Sequence, residues 1–120
     1  MSKILVVDDM QTQLELMCQY LTRAGYTTIT AANGEEALDK ANKNSPDVIV
    51  TDWMMPVMGG LDLCRQLKKK PETAHIPIIA CTVKDRDVDR MWAMKQGIQI
   101  YLTKPYTAEE LVNAVQQVIG

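Results

Sequence analysis

The chain has 120 residues, a length that fits one domain and leaves no room for a catalytic domain beside a regulatory one. Hydrophobic residues make up 47% and charged residues 23%, so a disordered chain, a collagen-like repeat and a coiled coil are excluded. Thirteen basic and fifteen acidic residues give a formal net charge of -2. This charge provides no cationic surface, so we expect neither a nucleic-acid nor a membrane partner.

Targeting segments and reactive side chains are sparse. No run approaches the roughly 18 apolar residues of a membrane span, and the first residues lack a signal-peptide pattern. The three cysteines, Cys18, Cys64 and Cys81, are an odd number at wide spacing, which indicates core residues in a reducing compartment. One histidine, His75, leaves little material for a zinc site or a Ser-His-Asp triad. We expect a cytoplasmic protein.

The first half of the chain alternates strand-like and helix-like segments. The apolar run over residues 4–7 is typical of a strand buried on both faces, and helical spacing then continues to Gly25, a helix C-cap. A β-branched strand over 27–31 follows. Asn33 is placed to cap the second helix, which Ser45–Pro46 ends.

The second half continues the alternation. Strands are predicted over 48–51, 78–81 and 98–103. The helix between the first two of them follows the loop 53–60 and ends at Pro71. The next helix contains Val88, Met91 and Trp92 and ends at Gly97, and the last helix runs through Ile119. A capping box over Thr107–Glu110 starts the last helix, and Tyr106 can pack on Leu111. With eight methionines and no phenylalanine, we expect methionine to fill core volume and assign Met91 to packing; Trp92 stays open.

Five strand–helix pairs of this length require right-handed crossovers and a parallel sheet with helices on both faces. The sequence therefore predicts a doubly wound α/β fold. In such sheets ligands bind beyond the carboxyl ends of the strands. Residues that directly follow a strand are the candidates for a functional site.

Polar side chains follow the predicted strands at this edge, namely Asp8, Asp9, Asp52, Thr82 and Lys104. Three clustered carboxylates raise one another's pKa unless a cation neutralises them. A hard divalent cation is implied, and Mg²⁺ suits an open site that also accepts a phosphate oxygen. Lys104 adds a positive charge and Thr82 a donor for phosphoryl oxygens, so the set indicates phosphoryl transfer.

Each member of this set also has an ordinary explanation. Asp8 alone can cap a helix, Thr82 is equally a loop hydroxyl, and Lys104 outside the set is an exposed lysine. A strand-end tyrosine such as Tyr101 often buries its ring and leaves the hydroxyl in water. The prediction therefore depends on the set.

The segments Val6–Asp9, Thr51–Gly60 and Tyr101–Pro105, together with Thr82, resemble a response-regulator receiver domain of the CheY-like superfamily. The resemblance extends over essentially the whole chain. It implies a flavodoxin-like (βα)5 fold with a five-stranded parallel sheet of order 2-1-3-4-5. It also implies one receiver domain over residues 1–120 with no output domain.

The resemblance implies roles for the acidic residues. Asp52 is the expected phosphoacceptor, taking a phosphoryl group from the phosphohistidine of a CheA-like histidine kinase or a histidine phosphotransfer domain. Asp8, Asp9, Asp52 and the backbone carbonyl of Met54 are the expected ligands of Mg²⁺. The protein is then a signalling protein rather than an enzyme that turns over a substrate.

The resemblance also implies the switch. Lys104 is expected to pair with the phosphoryl oxygens across a cis peptide to Pro105. Thr82 is expected to swing toward the phosphate and Tyr101 to change rotamer. The fourth predicted helix, fifth strand and fifth predicted helix then present an altered face to a downstream motility or effector protein.

Two positions depart from the common family pattern, namely Gly59, where the family often has Asp, and Val83, where it often has a small residue. Val83, Met54 and Lys84 are expected to crowd the path of a hydrolytic water, which predicts a longer-lived phosphorylated state. The stretch 82–105 is similar to single-domain receivers of the type IV pilus, twitching-motility branch. A flagellar chemotaxis receiver and a piece of a larger regulator stay open as alternatives.

Other classes of protein share parts of this pattern. A haloacid-dehalogenase-like phosphatase needs a second Asp two residues after its nucleophile, where this chain has Met54. A flavodoxin-like electron carrier needs a phosphate-binding loop where Asp8 and Asp9 would repel a phosphate. A binding module that works without phosphorylation stays open as well.

Overall fold

The computed structural model describes residues 2–55 and 57–119. Within them the strands are β1 (Lys3–Val7), β2 (Thr27–Ala31), β3 (Val48–Asp52), β4 (Ile78–Thr82) and β5 (Ile100–Thr103). The helices are α1 (Gln11–Arg23), α2 (Gly34–Asn44), α3 (Gly60–Lys68), α4 (Pro71–Ala74), α5 (Asp87–Lys95) and α6 (Ala108–Ile119). None of these helices has the length and apolar character needed to cross a membrane.

The strands form one parallel sheet in the order β2-β1-β3-β4-β5, which confirms the predicted doubly wound fold and its strand order. Alternate residues of β1 enter opposite core layers because successive strand side chains point to opposite faces. Leu5 and Val7 pack with α2 and α3, and Ile4 and Val6 pack with α1 and α6. Burial on both faces explains why the strand reads as a continuous apolar run.

The chain reverses its winding direction between β1 and β3. The first crossover leads outward from β1 to β2, and the second returns past β1 to β3. Val7 of β1 lies beside Thr51 of β3 in the register, so the residues after these two strands share one edge. This edge is the topological switch point where ligands bind in folds of this kind.

One helix was not predicted. Pro71 begins the one-turn helix α4, although the sequence suggested only that it ends the preceding helix. Proline is favoured at the first helical position because its missing N–H needs no partner there. The Thr73 hydroxyl donates to the carbonyl of Leu67 at 2.7 Å and holds α4 against the end of α3. The fourth and fifth predicted helices are therefore α5 and α6.

The predicted start of the last strand was wrong by two residues. Ile98 is buried, but the strand begins at Ile100. Gly97 has a φ of +98°, so the chain is still turning at this point. The first bond to β4 is donated by the backbone N–H of Gln99 to the carbonyl of Ile78, at 2.8 Å. Ile98 is thus buried like a strand residue, although it precedes the first residue that pairs with β4.

The assignment of Met91 to the core was wrong. Met91 is 60% exposed and Trp92 is 50% exposed, and the buried residue of α5 is Ala93. The small side chain of Ala93 lets this helix lie close to the sheet, so its longer side chains point outward. Met17 is the buried methionine among the residues described; leucine, isoleucine and valine fill most of both core layers.

The cysteines match the sequence prediction in two cases out of three. Cys64 and Cys81 are buried and Cys18 is half-buried, and all three are free thiols. Burial raises the pKa of Cys81 to about 12, so this thiol stays protonated in the core. These residues act as small apolar side chains.

Two predicted helix starts are confirmed by their hydrogen bonds. The side chain of Asn33 accepts from the backbone N–H of Glu36 at 2.9 Å. The Thr107 hydroxyl accepts from the N–H of Glu110 at 3.1 Å, and the Glu110 carboxylate accepts from the N–H of Thr107 at 3.0 Å. These bonds satisfy N–H groups that have no partner within a helix.

A close backbone contact ties α2 to the loop that follows β3. The N–H of Gly34 donates to the carbonyl of Met58 at 3.0 Å, and Met58 has a φ of +35°. A Cβ at residue 34 would overlap the carbonyl oxygen, Cβ and Cγ of Met58. Glycine is therefore required at this helix start.

We expect Gly34→Ala to lower the free energy of unfolding by about 1–3 kcal/mol, the usual cost of overpacking. Alanine is the better helix former, so a loss of stability would come from the overlap with Met58. Urea unfolding measures the change. Glu35→Ala, at an exposed neighbour in the same turn, is the control and should stay within about 0.5 kcal/mol of the native chain. Equal stability of Gly34→Ala and the native chain would contradict this account.

Candidate functional site

Three carboxylates meet at the switch point of the sheet. Asp8 and Asp9 follow β1, and Asp52 is the last residue of β3. One carboxylate oxygen from each lies within 4.8 Å of the other two. Asp8 is fully buried, Asp52 is 9% exposed, and Asp9 is exposed. The cluster is thus enclosed by the protein on one side and open to solvent on the other.

The two buried carboxylates are oriented by the same local bond. Asp8 Oδ1 accepts from the N–H of Met10 at 3.0 Å, and Asp52 Oδ1 accepts from the N–H of Met54 at 3.3 Å. Aspartate commonly bonds in this way to the backbone two residues later. Both bonds use Oδ1, so the Oδ2 atom of each residue is directed toward the shared site.

Lys104 reaches both Oδ2 atoms. Its Nζ lies 3.1 Å from Asp8 Oδ2 and 3.7 Å from Asp52 Oδ2. The backbone N–H of Lys104 donates to the carbonyl of Thr82 at 2.7 Å, which fixes the end of β5 beside β4. The peptide bond between Lys104 and Pro105 is cis. The ammonium group therefore lies between the two buried acids.

Thr82 of β4 and Tyr101 of β5 both contact the same loop residue, Lys84. Thr82 ends β4, and its buried Oγ1 accepts from the N–H of Lys84 at 3.2 Å. The Tyr101 hydroxyl donates to the carbonyl of Lys84 at 2.7 Å, and the residue is 5% exposed. Tyr101 thus has its ring inward and its hydroxyl bonded to the loop.

The charges of the site are unbalanced. Burial raises the pKa of Asp52, and the charges of Asp8 and Asp9 add to this effect; Lys104 and the N–H of Met54 oppose it. For Lys104, burial favours the neutral form, but Asp52 and Asp8 outweigh it and leave the pKa above its usual value. Lys104 therefore keeps its charge, while three acids share one cation.

This donor set fits a hard divalent cation. Carboxylate and carbonyl oxygens are the ligands that such cations prefer, and a second positive charge would relieve the repulsion among the acids. The position of the three oxygens within 4.8 Å of one another is compatible with a shared ion. Met54 lies in the loop that directly follows Asp52, and its carbonyl remains a predicted ligand.

One residue at the site was not singled out from the sequence. Arg90 of α5 donates from Nη1 to the backbone carbonyl of Tyr101 at 3.2 Å. An arginine in a helix whose apolar face is uncertain carries no sequence signal for this contact. Its partner lies eleven residues away and is brought near only by the packing of α5 on β5.

A groove of about 650 Å³ lies next to the loop that follows Asp52. Its walls come from the loop after β3, from α3, and from the exposed side of α5. Large side chains line it, among them Trp53, Met54, Leu61, Trp92 and Tyr101. The sequence did not decide whether Trp92 lies in the core or on the surface, and the structure places it on the wall of this groove.

Known proteins match both the sequence and the structure. The sequence model of the family described as the response regulator receiver domain matches residues 4–116. Protein PilH of Pseudomonas aeruginosa is 37% identical over 120 residues, which cover 100% of this chain and 99% of that protein. The alkaline phosphatase synthesis transcriptional regulatory protein PhoP of Bacillus subtilis is 39% identical over 98% of this chain and 48% of its own length.

The structural comparison points the same way. The chemotaxis response regulator CheY4 of Vibrio cholerae superposes with a TM-score of 0.92 and 34% identity, covering 98% of each chain. The receiver domain of the Francisella response regulator 1452 superposes with a TM-score of 0.93 and 34% identity, covering 99% of this chain and 97% of that one. Together with the match over residues 4–116, these similarities establish that the chain belongs to the family of response regulator receiver domains.

Proposed function

We propose that Asp52 accepts a phosphoryl group from the phosphohistidine of a histidine kinase or a histidine phosphotransfer domain. The phosphorus–nitrogen bond of the donor breaks as a bond forms between phosphorus and an Asp52 oxygen, and the donor imidazole keeps the electron pair. The observation that carries the proposal is the position of Asp52, whose Oδ2 faces Lys104 in a cluster of acids open to solvent.

Mg²⁺ is part of the proposal. Asp8, Asp9, Asp52 and the carbonyl of Met54 would hold the ion, as the resemblance to receivers implies. When bound, Mg²⁺ supplies positive charge for the phosphoryl oxygens and lowers the repulsion between the donor and the acidic site. Burial is the main cause of the raised pKa of Asp52, and the charges of Asp8 and Asp9 add to it; a cation bound at the three carboxylates would counter both effects, which supports this part of the proposal.

Lys104 and Thr82 complete the site. The ammonium group already lies within 3.7 Å of Asp52 Oδ2, so a phosphoryl group on Asp52 would receive its charge at close range. The Thr82 hydroxyl, which accepts from Lys84, can donate its own proton to a phosphoryl oxygen. Tyr101 would report this change through the carbonyl of Lys84, which its hydroxyl contacts.

The output surface would be formed by α5, β5 and α6. Tyr101 lies in β5 and contacts both the phosphorylation side of the sheet and α5, so a movement of its ring would alter this face. We propose that a downstream motility or effector protein recognises the face. Any reaction of the chain would be limited to its own phosphorylation and dephosphorylation.

We further propose that the chain works as a stand-alone receiver in a chemotaxis-like or pilus-motility system, with a CheA-like kinase as donor. The similarity to PilH along nearly its full length supports this assignment, and CheY4 is described as a chemotaxis response regulator. The match to PhoP covers only 48% of that protein, so a receiver within a larger regulator is the alternative. A cytoplasmic location agrees with the three free thiols, which a reducing compartment preserves.

Intact mass after incubation with acetyl phosphate and Mg²⁺ tests the central step. We expect one phosphoryl group on the native chain and none on Asp52→Asn, because the amide is a poor nucleophile. Chelation of the metal should abolish the adduct. Asp62→Asn, at an exposed acid in the first turn of α3, is the matched control and should be phosphorylated as the native chain is. A folded native chain that gains no phosphoryl group with Mg²⁺ present would refute the proposal and favour a binding module independent of phosphorylation.

A second prediction concerns stability in metal-free buffer. A carboxyl with a raised pKa holds its proton more tightly in the folded than in the unfolded state, so it opposes folding above that pKa. We therefore expect Asp52→Asn to be more stable than the native chain at about pH 7, and the gap to narrow toward about pH 4 as Asp52 takes up its proton. Urea unfolding at both pH values measures the gap. A less stable Asp52→Asn at neutral pH would contradict the prediction.

The exposed residue after the switch threonine generates a third prediction. Val83 is 71% exposed and, with Lys104 and Pro105, lines a small cavity next to the site. We expect Val83→Ala to lose its phosphoryl group faster, by roughly threefold, which corresponds to about 0.6 kcal/mol in the barrier. The decay of the phosphorylated mass after removal of the donor measures the rate. Val57→Ala, at another exposed valine, is the control and should leave the rate unchanged. An unchanged rate in Val83→Ala would show that crowding by Val83 does not slow the loss of the phosphoryl group.

A further inference from the structure

The ring of Tyr101 is held from two elements. Its hydroxyl donates to the carbonyl of Lys84 at 2.7 Å, in the loop between β4 and α5. From α5, the guanidinium carbon of Arg90 lies 5.0 Å from the centre of the ring. Arg90 Nη1 also donates to the backbone carbonyl of Tyr101 at 3.2 Å. One arginine therefore contacts both the ring and the main chain of the same residue.

The neighbouring charges leave Arg90 available for this contact. Asp89 precedes it in the helix, but both Asp89 oxygens accept from Arg86, at 3.0 Å and 3.2 Å. In residues 2–55 and 57–119, no ion pair involves Arg90. Arg90 is exposed as a residue, so its contact with the ring costs it little hydration. Tyr101 is thus its main partner.

These bonds continue to the phosphorylation site. The carbonyl of Lys84 accepts from Tyr101, and the N–H of the same Lys84 donates to Oγ1 of Thr82 at 3.2 Å. Thr82 ends the strand that lies beside β3, in which Cys81 is the register partner of Asp52. Arg90 on α5 is therefore connected to the loop beside Asp52 through the Tyr101 ring and the two hydrogen bonds of Lys84.

We infer that Arg90 is a positioning residue that keeps the Tyr101 ring inward before any phosphoryl group is bound, and thereby holds Lys84 and the loop beside Thr82 in place. The inference rests on the proposed phosphorylation of Asp52. The positive charge of Arg90 on the ring would thus favour the inward position of Tyr101 at the proposed output surface before Asp52 is phosphorylated.

The position of the ring can be measured without any phosphorylation. The chain has four tyrosines, so labelling with 3-fluorotyrosine gives four ¹⁹F signals, and the signal missing in Tyr101→Phe identifies Tyr101. Broadening by a soluble gadolinium chelate reports the exposure of each ring. A cation over an exposed aromatic ring shifts a two-state equilibrium by roughly two- to fivefold. This range sets the size of the effect expected when the charge is removed.

We expect Arg90→Gln to move the Tyr101 signal toward that of an exposed fluorotyrosine and to increase its broadening by about two- to fivefold. Arg90→Lys, which keeps a cation near the ring, should lie between Arg90→Gln and the native chain. Arg65→Gln, at an exposed arginine of α3, is the matched control and should leave the signal unchanged. Since Arg90 is exposed, these variants are expected to fold, and the other three ¹⁹F signals verify that they do.

A Tyr101 signal in Arg90→Gln with the position and broadening of the native signal would overturn the inference. Equal displacement in Arg90→Gln and Arg90→Lys would also overturn it, because the effect would then come from lost packing and not from the charge. Phosphorylation by acetyl phosphate is the second readout: the rate in Arg90→Gln should fall by about two- to fivefold if the loop loses its support. A native chain that accepts no phosphoryl group would refute the proposed function and leave the ¹⁹F result standing on its own.

Discussion

The site is organised around the mutual repulsion of three carboxylates at one edge of the sheet. Asp8 and Asp52 are buried because they stand at the ends of strands in the centre of the sheet, and burial raises the pKa of Asp52. Lys104 balances part of this charge from the end of β5. A divalent cation would relieve the remaining repulsion, and clustered carboxylates of this kind recur at functional sites.

The lysine also explains why the sheet ends as it does. The backbone N–H of Lys104 donates to the carbonyl of Thr82, so the end of β5, which provides the ammonium group, is held beside the end of β4, which provides the Thr82 hydroxyl. Thr82 in turn shares Lys84 with Tyr101. The acidic half of the site and the half that faces α5 are therefore connected by one backbone–backbone hydrogen bond and two hydrogen bonds between a side chain and the backbone, which are shorter-ranged and more directional than charge alone.

Much of the fold followed from local patterns. Continuous apolar runs ended by acids predicted the central strands, and the capping residues Asn33 and Thr107 predicted helix starts that the structure confirms. Pro71 was ambiguous because proline both ends one helix and begins another. Met91 was assigned to the core because a helical row of apolar residues does not show which helix face meets the sheet; Ala93 decides that in the structure.

Which chemical groups stand at the strand ends can be read from local sequence, since a strand buried on both faces is apolar throughout and the first acid marks where it stops. Parallel strands then bring those groups to one edge. The tertiary structure decided what each group contacts: that Lys104 lies closer to Asp8 than to Asp52, that Tyr101 has its ring inward, and that Arg90 covers it. These contacts join residues eleven or more positions apart across separate elements, and no local spacing encodes the orientation of one element on another.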